Sequence, residues 1–328
     1  MPSRLERLWY GPTASWALTP LAAVYAAIAA RRRAGAKPIA VGVPVIIVGN
    51  ISIGGTGKTP VVEWLVAQLC ALGLRPGVVS RGYGGRLGKT PVLVTPQHAA
   101  AEVGDEPCLI AATTGAPVVI GHDRVAAAQF LCAQADVNVI VADDGLQHYR
   151  LHRDLELCVV DGVRGLGNGA CLPAGPLREP PQRLAEVDFI LVNGGDWTPP
   201  SLAAQRPWSR FTLQAQPLRQ LDDGRERGPL AAWVGQRVHA VAGIGRPQRF
   251  FDMLSRAGLD VVPHPFPDHH LFTAADFATM TEAPVMVTDK DAVKIRGLAP
   301  ATTLIVPVAV DMDARALIAL LQQRLGID

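Results

Sequence analysis

The sequence predicts an α/β protein: a mostly parallel sheet with helices on both faces, followed by a smaller α/β unit. Three observations carry this. Short apolar runs (Val45–Val48, Gly77–Ser80, Pro117–Ile120, Val137–Ala142, Leu155–Val160, Phe189–Asn193) alternate with segments of helical periodicity, as in parallel sheets joined by crossover helices. A stretch rich in Pro, Gln, Arg and Gly, residues 199–229, interrupts the pattern, and a second alternation follows. The 328 residues are 49% hydrophobic and 18% charged, ample for a sizeable core and unlike a disordered chain.

That length favours division into domains. The expected boundaries are a helical segment at residues 1–35, a main domain at 36–215 and the smaller unit at 216–328. A net charge of only +2 argues against a general nucleic-acid binder. The five cysteines, at positions 70, 108, 132, 158 and 171, include no C-x-x-C pair. A reduced compartment without structural zinc is the simplest reading.

The N-terminal segment is apolar from Trp16 to Ala30 apart from Thr19, and Arg31, Arg32 and Arg33 follow. A spanning helix needs roughly 20 apolar residues, and a signal peptide carries its charges before the apolar run. Two readings remain at this point. One is a helix lying in a membrane interface, with Trp9, Tyr10, Trp16 and Tyr25 at the boundary and the arginines on anionic headgroups. The other is a buried helix whose basic last turn suits its dipole.

The strand at Val45–Val48 enters Ser52-Ile53-Gly54-Gly55-Thr56-Gly57-Lys58-Thr59, and a helical pattern follows through Val62, Leu65, Val66 and Leu69. Strand, glycine-rich turn, Lys-Thr and helix make a phosphate-binding loop, and the fold expectation becomes P-loop NTPase-like. Backbone N–H groups and the helix N-terminus would wrap phosphate. Lys58 would reach the outer phosphates and Thr59 would hold magnesium. Ser52 stands where the full motif has glycine; Gly54 and Gly55 can supply the freedom instead. Pro60 suits a first helical turn.

The second strand enters Ser80-Arg81-Gly82-Tyr83-Gly84-Gly85, a turn dense enough in glycine for close approach to a ligand or another backbone. Arg81 is a candidate anion ligand there. Gly104-Asp105-Glu106-Pro107 opens a helix, where Asp105 is either an N-cap or an acid aimed at a reacting group. Val137–Ala142 delivers Asp143, Asp144, Gly145, Leu146 and Gln147 to a strand end. An acid placed so is the magnesium-holding half of a phosphate-loop site, and ligands of open α/β sheets sit beyond such strand ends. The loop from Gly165 to Pro180 is long enough to be functional. In the second unit, Gly243-Ile244-Gly245 lacks the third glycine of a dinucleotide fingerprint. Pro267-Asp268-His269-His270 and Thr288-Asp289-Lys290-Asp291 end strands.

Taken in order, the phosphate loop, Ser80–Gly84, Gly104–Pro107, Asp143–His148, Leu172–Pro180, Phe266–His270 and Thr288–Asp291 resemble the tetraacyldisaccharide 4'-kinase family of lipid A biosynthesis, a step toward lipopolysaccharide. The resemblance covers nearly the whole chain. It implies an ATP- and Mg²⁺-dependent kinase that phosphorylates the 4'-hydroxyl of a tetraacylated glucosamine disaccharide 1-phosphate. It implies a peripheral protein on the cytoplasmic face of the bacterial inner membrane, with an anionic membrane surface and the lipid substrate as partners. That favours the interfacial reading of the first helix. No nucleic acid and no obligate protein partner are expected. Carried over by motif, Lys58 stabilises the transferring phosphates. Thr59, Asp143, Asp144 and Gln147, assisted by Glu106, surround magnesium. Asp105 takes the hydroxyl proton with His269 orienting it. Arg81, Arg124, Asn168 and Arg178 are substrate candidates. Asp289 stands where the family has glutamate, so no catalytic role is assigned to it. From the residues alone, a switch-type GTPase and a soluble kinase for a small metabolite are competing classes. Thr288–Asp291 has one residue too many for a guanine-reading loop.

Overall fold

The computed structural model describes residues 4–11 and 13–327. Two helices, α1 (Arg4–Trp9) and α2 (Thr19–Ala34), precede the sheet. In chain order follow β1 (Val45–Gly49), α3 (Lys58–Ala71), β2 (Pro76–Ser80), β3 (Val92–Leu93), α4 (Ala100–Val103), α5 (Asp105–Thr114), β4 (Val118–Ile120), α6 (Arg124–Gln134), β5 (Val139–Asp143), β6 (Leu155–Asp161), β7 (Phe189–Asn193) and β8 (Trp208–Ala215). The second unit holds β9 (Arg219–Gln220), β10 (Arg237–Ala242), α7 (Pro247–Arg256), β11 (Asp260–Pro265), β12 (Val285–Thr288), α8 (Asp289–Ile295) and β13 (Leu304–Val306). β14 (Val308–Met312) and α9 (Arg315–Leu325) close the chain.

The large sheet has the order β14-β8-β7-β6-β1-β5-β2-β4-β3. All its neighbours are parallel except β3 and β14, which pair antiparallel at the two edges. Its central strands are apolar along their whole length because helices cover both faces; every residue of β1, β5 and β6 is buried. One face packs on α3, where Val61, Val62, Leu65, Val66 and Leu69 are buried, each worth roughly 1.5–3 kcal/mol. The other face packs on α6 through Val125, Ala127, Ala128 and Leu131. The smaller sheet has the order β11-β10-β12-β13-β9, parallel except for β9. The two motif-bearing strands, β1 and β5, are neighbours with Val48 opposite Asp143, so the phosphate loop and the strand-end acids emerge side by side.

Two expectations change. The reading of 216–328 as one unit is corrected at its end. The apolar run at residues 303–310 forms two strands, β13 in the small sheet and β14 in the large one. Pro307 separates them and has no N–H to extend a ladder. The chain then returns, and Leu317 and Leu321 of α9 are buried in the large core. The buried-helix reading of the N-terminus is also overturned. Of α2 only Ala22 is buried, against Cys171, Ala174 and Leu177, while Leu21, Val24 and Ile28 are 56%, 58% and 49% exposed. Among the described residues no helix is long and apolar enough to cross a membrane.

Candidate active site

The phosphate loop runs from the end of β1 into α3. Ser52 bridges Leu177 and Ile53 donates its N–H to Pro176 O at 2.8 Å, so the loop leans on the long segment that carries Arg178. Gly57 has φ +92°, and a Cβ there would lie 2.3 Å from Asn193 Nδ2; only glycine fits. Asn193 Nδ2 donates to Thr56 O at 2.9 Å and Asn50 Nδ2 to Thr56 Oγ1 at 3.3 Å. Gly54, at φ +108°, supplies the freedom absent at Ser52. Thr59 lies in the first turn of α3.

Lys58 Nζ is 3.4 Å from Asp144 Oδ1, and Arg178 Nη1 reaches both Asp144 oxygens at 3.1 and 2.9 Å. Burial alone would raise the Asp144 carboxyl, but Lys58 and Arg178 more than reverse this and hold it well below the usual carboxylate range. Asp143 behaves oppositely. Burial first, then Glu106 and Asp144, push its carboxyl well up, against Lys58 and the Ser80 hydroxyl. Ser80 Oγ–H donates to Asp143 Oδ2 at 2.9 Å, while the buried Oδ1 makes no hydrogen bond. Magnesium is commonly held by one or two carboxylates plus phosphates and waters. A buried carboxylate oxygen without a partner, beside the phosphate loop, fits such an ion. Among the described residues no three His, Cys, Asp or Glu side chains form a metal cage.

Asp105 and His269 come from different units. Gly104, not Asp105, is the N-cap of α5, which removes the capping alternative. Asp105 Oδ2 instead lies 3.1 Å from His269 Nδ1. Burial would raise this carboxyl, but the His269 hydrogen bond and the Lys294 charge outweigh it and leave it lowered. His269 has φ +59°, a strained conformation for a non-glycine residue, and its ring centroid is 5.1 Å from that of Tyr83. His270 turns away to Asp276 at 3.3 Å and stacks on Phe266.

The remaining candidates separate. Glu106 Oε1 is 3.2 Å from Lys290 Nζ. Gln147 donates to Asn50 O and Glu179, at 3.0 and 2.9 Å, and accepts from Arg178 at 3.3 Å. Asn168 is engaged within the protein: its amide donates to Leu8 O and Ala174 O and accepts from Ala170 N–H. Arg124 is 2% exposed and bonds Gly121 O, leaving Nε and Nη2 without a hydrogen bond. Burial pulls its pKa down to about 10, against Asp143 and Asp144. Arg81 is exposed.

Sequence reasoning missed the groups that tie these residues together. They are Lys290 and Lys294 on α8, Asp161 gripped by Arg246 and Arg249, and a buried chain in which Arg183 joins Glu179 at 3.1 Å and also pairs with Glu156. The discounted Gly243–Gly245 turn lies on the phosphate loop, where a Cβ on Gly245 would be 3.3 Å from Gly55 N.

A phosphate loop, a neighbouring strand-end acid pair and a carboxylate–imidazole pair shared between two units define a phosphotransferase-type α/β protein. The comparisons narrow this. The family model for tetraacyldisaccharide-1-P 4'-kinase (LpxK) matches residues 14–326, and the chain belongs to that family. A tetraacyldisaccharide 4'-kinase of Alkalilimnicola ehrlichii is 53% identical over 316 residues, 93% of this chain and 92% of that one. One of Pseudomonas aeruginosa is 49% identical, over 91% of this chain and 90% of that one. The fold is similar to LpxK of Aquifex aeolicus, solved in complex with ATP, with TM-score 0.80, 27% identity, and 94% and 98% of the two chains covered.

Proposed function

We infer that this chain is an ATP-dependent kinase that phosphorylates the 4'-hydroxyl of a tetraacylated glucosamine disaccharide 1-phosphate. The observation that carries the chemistry is the Asp105–His269 pair at 3.1 Å, built from both units. Phosphoryl transfer asks mainly for positioning and charge neutralisation. Lys58, at the start of α3, neutralises the outer phosphates. Asp143, Thr59 and Asp144 are the groups for magnesium, which when bound screens the phosphate charge. Gln147 acts by orienting Arg178. Asp105 Oδ2 accepts the hydroxyl proton as the sugar oxygen bonds to the γ-phosphorus and the bond to the ADP oxygen breaks. His269 holds that carboxylate in place. Because the pair spans both units, it assembles only when they dock, which keeps water from the phosphoryl group. Arg81, exposed at the end of β2, serves the anionic substrate; Arg124, 2% exposed, acts from within through its charge on Asp143 and Asp144, and Asn168 braces its loop.

The exposed apolar residues of α2 and the arginines of its last turn support a helix lying in the interface of an anionic membrane, on the cytoplasmic face of the inner membrane. The functional test is phosphorus NMR of the lipid product. A new monoester at the 4' position, formed only with ATP and magnesium, is expected; an unchanged lipid beside hydrolysed ATP would contradict the assignment.

A further inference from the structure

Lys290 lies on α8, which packs against α5, the helix that begins with Asp105 and Glu106. Its Nζ sits 3.2 Å from Glu106 Oε1, 3.3 Å from Asp268 Oδ1 and 3.5 Å from His269 Nε2. The side chain is 17% exposed. Two carboxylates in contact, Glu106 and Asp268, favour the charged form, so the group is an ammonium. An ammonium has three donors and no acceptor. Facing that ammonium, Nε2 accepts only in the tautomer whose ring proton is on Nδ1, toward Asp105. His269 also needs a holder: its left-handed backbone, at φ +59°, persists only where the surroundings over-determine it. The charged groups around the ring are Asp105, Lys290 and Asp268. Beyond them, Lys294 Nζ is 3.5 Å from Asp105 Oδ2 and 2.7 Å from Asp291 Oδ1.

We propose that Lys290 is the positioning residue of the proton-accepting pair: its ammonium, bridging Glu106, Asp268 and His269 Nε2, fixes the ring as the neutral tautomer that donates Nδ1–H to Asp105. This rests on the kinase reading of the site. It gives the Thr288–Asp291 segment a role through its lysine rather than through Asp289, whose carboxylate instead accepts from Val308 N–H at 3.2 Å.

The test is nitrogen NMR of the histidine-labelled full chain, with the His269 signals identified by their loss in His269→Asn. It is read beside the kinetics of Lys290→Met and Lys290→Arg. The native ring is expected to show Nδ1–H and an unprotonated Nε2. Lys290→Met should lose that single form and lower kcat by about 100-fold, with KM for ATP within about twofold, as for a misplaced catalytic group. Lys290→Arg should restore the tautomer and most of kcat. Native Nε2–H overturns the proposal, whether or not the Met variant folds. So does Lys290→Met with native spectrum and native kcat. A native chain with the expected spectrum but no lipid phosphorylation would instead sink the kinase reading.

Discussion

Asp161→Asn isolates the docking of the two units from their folding. Asp161 ends β6 in the large sheet and is 4% exposed. Its Oδ1 accepts from Val163 and Arg164 N–H at 2.9 and 3.2 Å, a turn that asparagine retains. Its carboxylate also receives Arg249 Nη2 at 2.7 Å and the Arg246 guanidinium, both from the start of α7 in the smaller unit. Breaking one partner of a buried pair costs about 3–5 kcal/mol. The arginines here are 20% and 30% exposed and can re-solvate, so a loss of about 2 kcal/mol is expected. That lowers the ratio of docked to undocked forms about 30-fold, at 1.4 kcal/mol per factor of ten; with the free units near balance, the docked fraction and the apparent affinity fall with it by about 10-fold or more. Steady-state kinetics should show kcat/KM down by about 10- to 30-fold, with the urea midpoint of the large unit unchanged. Adding Arg246→Gln should cost little more, because the interaction is already lost. Burial would raise the Asp161 carboxyl, but Arg249 and Arg246 hold it below 3.8. The clasp is therefore present above that pH and fails only as pH falls through the lowered value. A kcat/KM within twofold of native, or fully additive single variants, would refute the idea that this clasp holds the units together.

Other substitutions probe separate parts of the account. Gly57→Ala should lower ATP affinity, by calorimetry, more than about tenfold, because its Cβ meets Asn193 at 2.3 Å on a backbone at φ +92°, a strain of about 1–3 kcal/mol. Replacing Leu21, Val24 and Ile28 together by glutamate should leave the melting temperature near native, since all three are about half exposed. Binding to anionic vesicles should fall about 100-fold, at about 1 kcal/mol of lost transfer each. Burial raises Glu63, with Thr113 opposing and Asp289 adding, from 4.5 to about 7. Its contribution is fully present below pH 4.5 and lost as pH rises through 7. Glu63→Gln should therefore be more stable than native in urea at pH 8, by on the order of 1–3 kcal/mol, and equal to it at pH 4.

The strands of the large sheet were readable because burial on both faces makes them continuous apolar runs. The acids at their ends stood out against that background. The phosphate loop was readable despite Ser52, since Gly57-Lys58-Thr59 sits between a strand and a helix. Less was readable where meaning depends on distant partners. Asp105 looked equally like a cap and an acid until His269, 164 residues away, was placed beside it. Lys290 and Arg246 looked like ordinary polar residues of a short helix and a turn, because Glu106 and Asp161, with which they pair, lie in the other unit. Gln147, read as a magnesium ligand, has its amide held by Asn50, Glu179 and Arg178. The return of β14 to the large sheet left one local sign, Pro307, which breaks an otherwise continuous run.

The most direct measurement follows label from γ-labelled ATP into the lipid disaccharide 1-phosphate, in detergent micelles with magnesium, for the native chain, Lys58→Ala and Asp105→Ala. The account predicts labelled lipid from the native chain and a fall of at least about 100-fold in each variant, the lower range for losing a positioned proton acceptor. Unlabelled lipid beside steady ATP hydrolysis by the folded native chain would contradict it.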